Sequence, residues 1–220
     1  MDNLNKFIEH TLLKQDAKKE DLIKLFAEAK EHNFLGVCVN PCYVKKAKDF
    51  LKDTDVKVVT VIGFPLGANT TETKIFETIQ AVKDGADEID MVINISDVKN
   101  GDLEKVTKEI AALKEACGDK ILKVIIETCY LTEEEKIAMC KAVTEAGADY
   151  IKTSTGFGTA GATIEDIRLF KKHIGPNVKM KAAGGVKTVA DLEMFINEGC
   201  DRIGTSSAVN MLKGEEVTGY

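Results

Sequence analysis

Histidine is scarce in this chain of 220 residues, which has only His10, His32 and His173. A zinc-type catalytic centre, built from closely spaced imidazole and thiolate ligands, is therefore poorly supplied, and no metal is expected. The six cysteines, at 38, 42, 117, 129, 140 and 200, show no framework spacing and read as reduced thiols. Cys38 and Cys42 stand close, but Pro41 lies between them and no second Cys/His pair follows at finger spacing. Excess positive charge is missing too. A net charge of −6 argues against the basic surface a nucleic-acid partner needs. No apolar run reaches the ~18 residues that span a bilayer, so no membrane partner is expected. The segment from Met1 to Lys6 lacks a signal peptide's apolar core, which predicts a cytoplasmic location. No linker-like tract of Pro, Ser and Gly interrupts the chain. Residues 1–220 are expected to form one domain, with 213–220 as a mobile polar tail.

What is present alternates. β-branched and apolar runs centred on Glu9, Cys38, Ile62, Asp90, Lys123, Lys152, Lys181 and Gly204 recur roughly every 30 residues, the length of a βα unit. Amphipathic segments separate them, two with expected capping signals at Asn69-x-x-Glu72 and Thr132-x-x-Glu135. Strand–helix alternation implies a parallel sheet. The expected fold class is α/β, a single (β/α)8 TIM barrel near the short end of its size range. An open doubly wound sheet is the competitor, but the Gly-x-Gly-x-x-Gly that usually follows its first strand is absent.

An internal repeat, Gly-small-Asp-x-Ile-x, opens three of these strands: 85–90, 147–152 and 199–204. Its glycine suits the left-handed cap that ends a helix. The first five positions are good βα geometry and nothing more. The sixth holds Asp90, Lys152 and Gly204, placed by equal register at equivalent heights.

Four consecutive strands carry a charge within an apolar run: Asp90, Lys123, Lys152 and Lys181. In a closed barrel they would converge inside, since side chains of a strand alternate in and out. Asp90 and Lys123 can pair structurally. Lys152 and Lys181 then share one cavity with too few acids to neutralise both, and crowding lowers a lysine's pKa. An unperturbed lysine, at ~10.4, is neutral in roughly one molecule in a few thousand at pH 7. A shift of about three units would make it an amine nucleophile able to form a Schiff base, chemistry that needs no metal or cofactor. The last two strands run into Ala183-Gly184-Gly185-Val186 and Gly204-Thr205-Ser206-Ser207, each leading to a helix whose free N–H groups favour an anion. Phosphate sites recur at these places in such barrels.

Together, Glu88 to Val92, Lys123 to Thr128, Ile151 to Phe157, Lys181 to Val186 and Gly204 to Ser207 resemble the deoxyribose-phosphate aldolase family, and the likeness runs from His10-Thr11-Leu12-Leu13 onward. The resemblance implies a class I aldolase that reversibly cleaves 2-deoxy-D-ribose 5-phosphate to D-glyceraldehyde 3-phosphate and acetaldehyde. It implies Lys152 as the Schiff-base lysine and Asp90 with Lys181 as the proton relay. Gly184, Gly185, Gly204, Ser206 and Ser207 would hold the phosphate, with Lys123 supporting. The family often has Asp where this chain has Glu9, a position implied to orient substrate hydroxyls, and Ala182 stands where relatives can carry proline. Related aldolases can also end in tyrosine. The tail's eight residues span up to ~26 Å, so Tyr220 either relays a proton at the barrel mouth or is simply the last residue. The expected partners are small phosphosugars and aldehydes, and a homodimer stays open. Two rivals stand beside this reading: a phosphosugar isomerase or epimerase, which has no need of two lysines, and a non-catalytic phosphate-binding barrel, which could lose Lys152 and Asp90.

Overall fold

The computed structural model describes residues 3–215. Eight parallel strands pair in sequence order and close on themselves. They are β1 Ile8–Leu12, β2 Gly36–Val39, β3 Lys57–Ile62, β4 Glu88–Val92, β5 Ile121–Ile125, β6 Tyr150–Lys152, β7 Lys179–Ala183 and β8 Arg202–Thr205. Helices α1 Lys19–Glu31, α2 Val44–Leu51, α3 Thr71–Lys83, α4 Ile95–Lys99, α5 Leu103–Cys117, α6 Glu133–Glu145, α7 Ile164–His173, α8 Val189–Asn197 and α9 Ala208–Leu212 connect or follow them. The expected (β/α)8 barrel is what the chain forms. The tail expected over 213–220 lies, from residue 216 through Tyr220, outside the described residues.

Local chemistry sets the boundaries. The Thr132 hydroxyl accepts from Glu135 N at 3.3 Å, and the Glu135 carboxylate accepts from Thr132 N at 2.7 Å, the reciprocal cap expected at α6. At α3 the expected start is corrected by one residue. Thr70, not Asn69, is the cap, and its hydroxyl accepts from Thr73 N at 3.3 Å. The repeat's glycines, Gly85, Gly147 and Gly199, all take positive φ (105°, 72° and 109°), where a side chain would be strained.

Period two divides the strands' side chains. The outward set, among them Ile8, Val58, Ile89, Val124, Ile151 and Ile203, packs in one core with Phe26, Ile110, Ile167 and Phe170 of the helices. The inward set is different. A small apolar cluster, Leu13, Cys38, Val59 and Val61 with Phe64 against it, occupies the side of β2 and β3. Charged groups dominate the rest.

The pairings fix their levels. Register climbs by about one residue per strand, as a shear of 8 over eight strands requires, so alternate strands fill each layer. Following the pairs round, Gly36, Glu88, Tyr150 and Arg202 share the lowest level. Glu9, Val59, Lys123 and Lys181 come next, and Cys38, Asp90, Lys152 and Gly204 lie above. Asp90, Lys152 and Gly204 are thus level, as the repeat implies.

Candidate active site

Asp90 is the hub of the interior. Its Oδ2 accepts from Lys152 Nζ at 2.8 Å and from Lys181 Nζ at 2.7 Å, and its Oδ1 from Lys123 Nζ at 2.9 Å. Lys181 also bonds Glu9 Oε2. Lys123 lies 3.2 Å from Glu9 Oε1 and 2.5 Å from Glu88 Oε2. Arg202 Nη2 lies 3.3 Å from Glu88 Oε1. Asp90, Lys123, Lys152, Lys181 and Glu9 are all buried, so these charges act through a low dielectric.

The sequence expectation, Asp90 set against Lys123 with too few acids for Lys152 and Lys181, needs correction here. Asp90 bonds all three lysines, and Glu9 holds Lys181. Glu88 and Arg202 belong to the same network and were missed. Both occupy the fourth position of the repeat, where period two already places them on the same face as Asp90 and Gly204.

The lysines are nevertheless not equivalent. Burial opposes the charge on Lys123, but Asp90, Glu9 and Glu88 outweigh it and hold its pKa well above the ordinary value. Burial likewise opposes Lys181, and Asp90 and Glu9 still raise it. For Lys152, burial lowers the pKa and outweighs the opposing pull of Asp90, while Lys181 adds to the lowering. Lys152 is the amine driven toward its neutral form. Burial would raise Asp90, yet the three ammonium groups hold its carboxyl well below the usual range.

Above Lys152, at the strands' C-terminal ends, opens a cavity of about 240 Å³. All five expected anchor residues, Gly184, Gly185, Gly204, Ser206 and Ser207, line it. Lys187, unremarked in the sequence, lines it too and brings a second cation suited to a phosphate. Gly184 is pressed against the loop after β6: a Cβ at Gly161 would meet Gly184 O at 2.3 Å. At the helix after β7 the cap engages some of the donors around the expected anion site. Asp191 accepts from Lys187 N at 3.1 Å and Thr188 N at 2.9 Å, while Asp191 N donates to Thr188 at 3.0 Å. The cap thus takes up three donors around the start of α8, and an anion would meet the Gly184–Gly185 turn, the β8 loop and the helix's first N–H groups, those of Val189 and Ala190.

Glu127 was also missed. It is buried at the end of β5 with φ of 53°, an uncommon conformation for a glutamate. Its Oε1 accepts from Thr155 N at 3.0 Å and its Oε2 from the Thr155 hydroxyl. It thereby clamps the loop that follows Lys152. Glu9, Cys38 and Asp90 bring three potential metal-ligand atoms within 4.8 Å of one another. The two carboxylates already accept from ammonium groups, and burial pushes the Cys38 thiol up to about 11, so this set is poorly disposed toward a cation.

Comparison with known proteins agrees with this geometry. Residues 6–209 match the family model described as DeoC/LacD family aldolase. A curated deoxyribose-phosphate aldolase of Clostridium botulinum (strain Alaska E43) is 67% identical over 215 residues, 98% of this chain and 97% of that protein. A solved structure described as an aldolase superposes with a TM-score of 0.93 at 39% identity, covering 97% of this chain and 96% of the other. A deoxyribose phosphate aldolase from Aeropyrum pernix, whose structure is described as tetrameric, gives 0.87 at 31%, covering 96% and 90%. The chain belongs to the DeoC/LacD family of aldolases.

Proposed function

We propose that this chain is a deoxyribose-phosphate aldolase, cleaving 2-deoxy-D-ribose 5-phosphate reversibly to D-glyceraldehyde 3-phosphate and acetaldehyde through an imine on Lys152. The observation that carries the reading is a buried amine with a lowered pKa, 2.8 Å from a carboxylate, below a cavity lined by two glycine–hydroxyl loops. Neutral Lys152 attacks C1 of the open-chain sugar, and loss of water gives an iminium. A base removes the proton of the C3 hydroxyl, the C2–C3 bond breaks, and its electron pair enters the iminium as an enamine. Protonation at C2 and hydrolysis release acetaldehyde. Asp90, bridging Lys152 and Lys181, is placed to move these protons directly or through water. Glu9 and Lys123 hold the relay in place, while the loops at Gly184–Gly185 and Gly204–Ser207 with Lys187 take the phosphate.

Among the described residues no helix is long and apolar enough to cross a membrane. The described cysteines are all unpaired, which supports a cytoplasmic location. Assembly as a homodimer is supported by Phe76 and Ile79 on α3, 71% and 52% exposed, and sedimentation would test it. Borohydride reduction in the presence of acetaldehyde, followed by peptide mass mapping, tests the central reading. A two-carbon adduct on Lys152 is expected. An adduct elsewhere, or none in an active preparation, would overturn it.

A further inference from the structure

A guanidinium at the foot of the barrel has no part in the chemistry above. Arg202 opens β8 and faces inward two levels below Lys152. Its Nη2 lies 3.3 Å from Glu88 Oε1, its Nε 3.8 Å from Glu9 Oε1, and its planar group 5.4 Å from the Tyr150 ring centre.

The interior's charges can be counted. Asp90 and Glu88 on β4 and Glu9 on β1 are its acids. Lys123 on β5, Lys152 on β6, Lys181 on β7 and Arg202 on β8 are its cations. Cys38 on β2 and Tyr150 on β6 add no negative charge, since burial pushes the thiol up to about 11 and the phenol up to about 12. At the rim Lys179 and Asp201 lie 3.9 Å apart and answer each other. His10 is turned outward to Glu28 of α1, and Lys187 belongs to the cavity mouth. Among the described residues, with Glu127 held by Thr155 at the end of β5, four cations face three acids, so this interior is neutral only when one cation gives up its proton.

Arginine does not deprotonate in proteins. Lys123 lies within ion-pair distance of three carboxylates and Lys181 of two. Lys152 reaches one, and shares that oxygen with Lys181. We infer that Arg202 is a positioning residue for the imine chemistry. By occupying Glu88 and Glu9 from below, it commits the interior's acids to other cations and leaves Lys152 as the amine without a charge. This inference rests on the reading of Lys152 as the imine-forming residue.

The test is the pH midpoint of borohydride trapping with acetaldehyde, followed in wild type, Arg202→Met, Glu88→Gln and the double variant. Arg202→Met equalises cations and acids, so Lys152 keeps its proton longer. Its midpoint should rise by about one pH unit, roughly tenfold less adduct below the midpoint, as expected for a unit charge two layers away at an effective dielectric near 20. The double variant removes one charge of each sign, restores the surplus of one, and should return to the wild-type midpoint. A wild-type midpoint in folded Arg202→Met would overturn the inference, as would a double variant shifted as far as the single. Should Arg202→Met not fold, the double variant must still titrate about one unit above Glu88→Gln, and equal midpoints would refute the idea. Trapping that persists in Lys152→Arg would instead sink the reading of Lys152, whatever Arg202 does.

Discussion

Replacing Asp90 by asparagine keeps the side chain's shape and deletes the charge that three lysine side chains share, at 2.9, 2.8 and 2.7 Å. Removing one partner of a buried ion pair costs about 3–5 kcal/mol, because a charge is left unpaired in a poor solvent. Here part of that cost can be escaped, since a lysine can shed its proton. Each unit by which its pKa falls corresponds to ~1.4 kcal/mol. In wild type Lys123 and Lys181 have raised pKa values, so their contribution to stability is full below ~10.4 and is lost only as pH rises through the higher folded values. In Asp90→Asn the folded lysines bind fewer protons than the unfolded chain between about pH 7 and 10, so stability rises with pH there. The gap between the two proteins should be about 3–5 kcal/mol at pH 7 and roughly half that at pH 9.5. Urea unfolding of both proteins by circular dichroism at the two pH values measures it. A gap that stays constant would refute the shared-charge argument. Turnover in the same variant should fall by ~10²–10⁴ at every pH, since the proton relay is gone.

Lys152→Arg should fold and lose both turnover and the trapped adduct, because a guanidinium stays protonated and is a poor nucleophile; full-yield trapping would move the nucleophile to Lys181. Ser206→Asp places a carboxylate at the cavity wall, and KM for the phosphorylated sugar should rise at least ~10-fold while cleavage of unphosphorylated deoxyribose changes little. Equal losses on both substrates would show that the loop serves only the fold. Glu127→Gln weakens the charge-assisted clamp on Thr155 by about 1.5–3 kcal/mol, and hydrogen exchange of Thr155 and Phe157 N–H should accelerate; unchanged exchange would deny Glu127 that role. Tyr220→Phe should leave the adduct trappable yet slow the exchange of acetaldehyde's methyl protons with deuterated water, and wild-type exchange would exclude the tail from the chemistry.

The barrel was legible because its sequence repeats a physical unit: a β-branched strand, a helix with its own cap, and glycine where φ must be positive. Lys152 was legible for the opposite reason, as a charge where an apolar residue belongs. Glu88 and Arg202 were harder to see because they stand at strand beginnings, where a charge ordinarily meets water. Only closure of the barrel turns that end inward. Glu127 gave no periodic signal, since its backbone has already left the strand. The Thr188–Asp191 cap of α8 was not read from the sequence, because Thr-x-x-Asp departs from the Glu or Gln that marks the usual capping box.

The bond between Lys181 and Glu9 joins residues 172 positions apart, on β7 and β1. With Asp90 on β4 and Lys123 on β5, the constellation draws on both ends of the chain and its middle. The pair between Lys181 and Glu9 cannot form until β7 has been brought round to face β1. A chain without that closure lacks the bond, and water entering the open ring would move its lysines toward ordinary basicity. On the proposed reading of Lys152, its reactivity should be a late property, acquired as the ring of strands shuts. Imine formation followed during refolding should then mark the moment of closure, which a signal from the helices need not do.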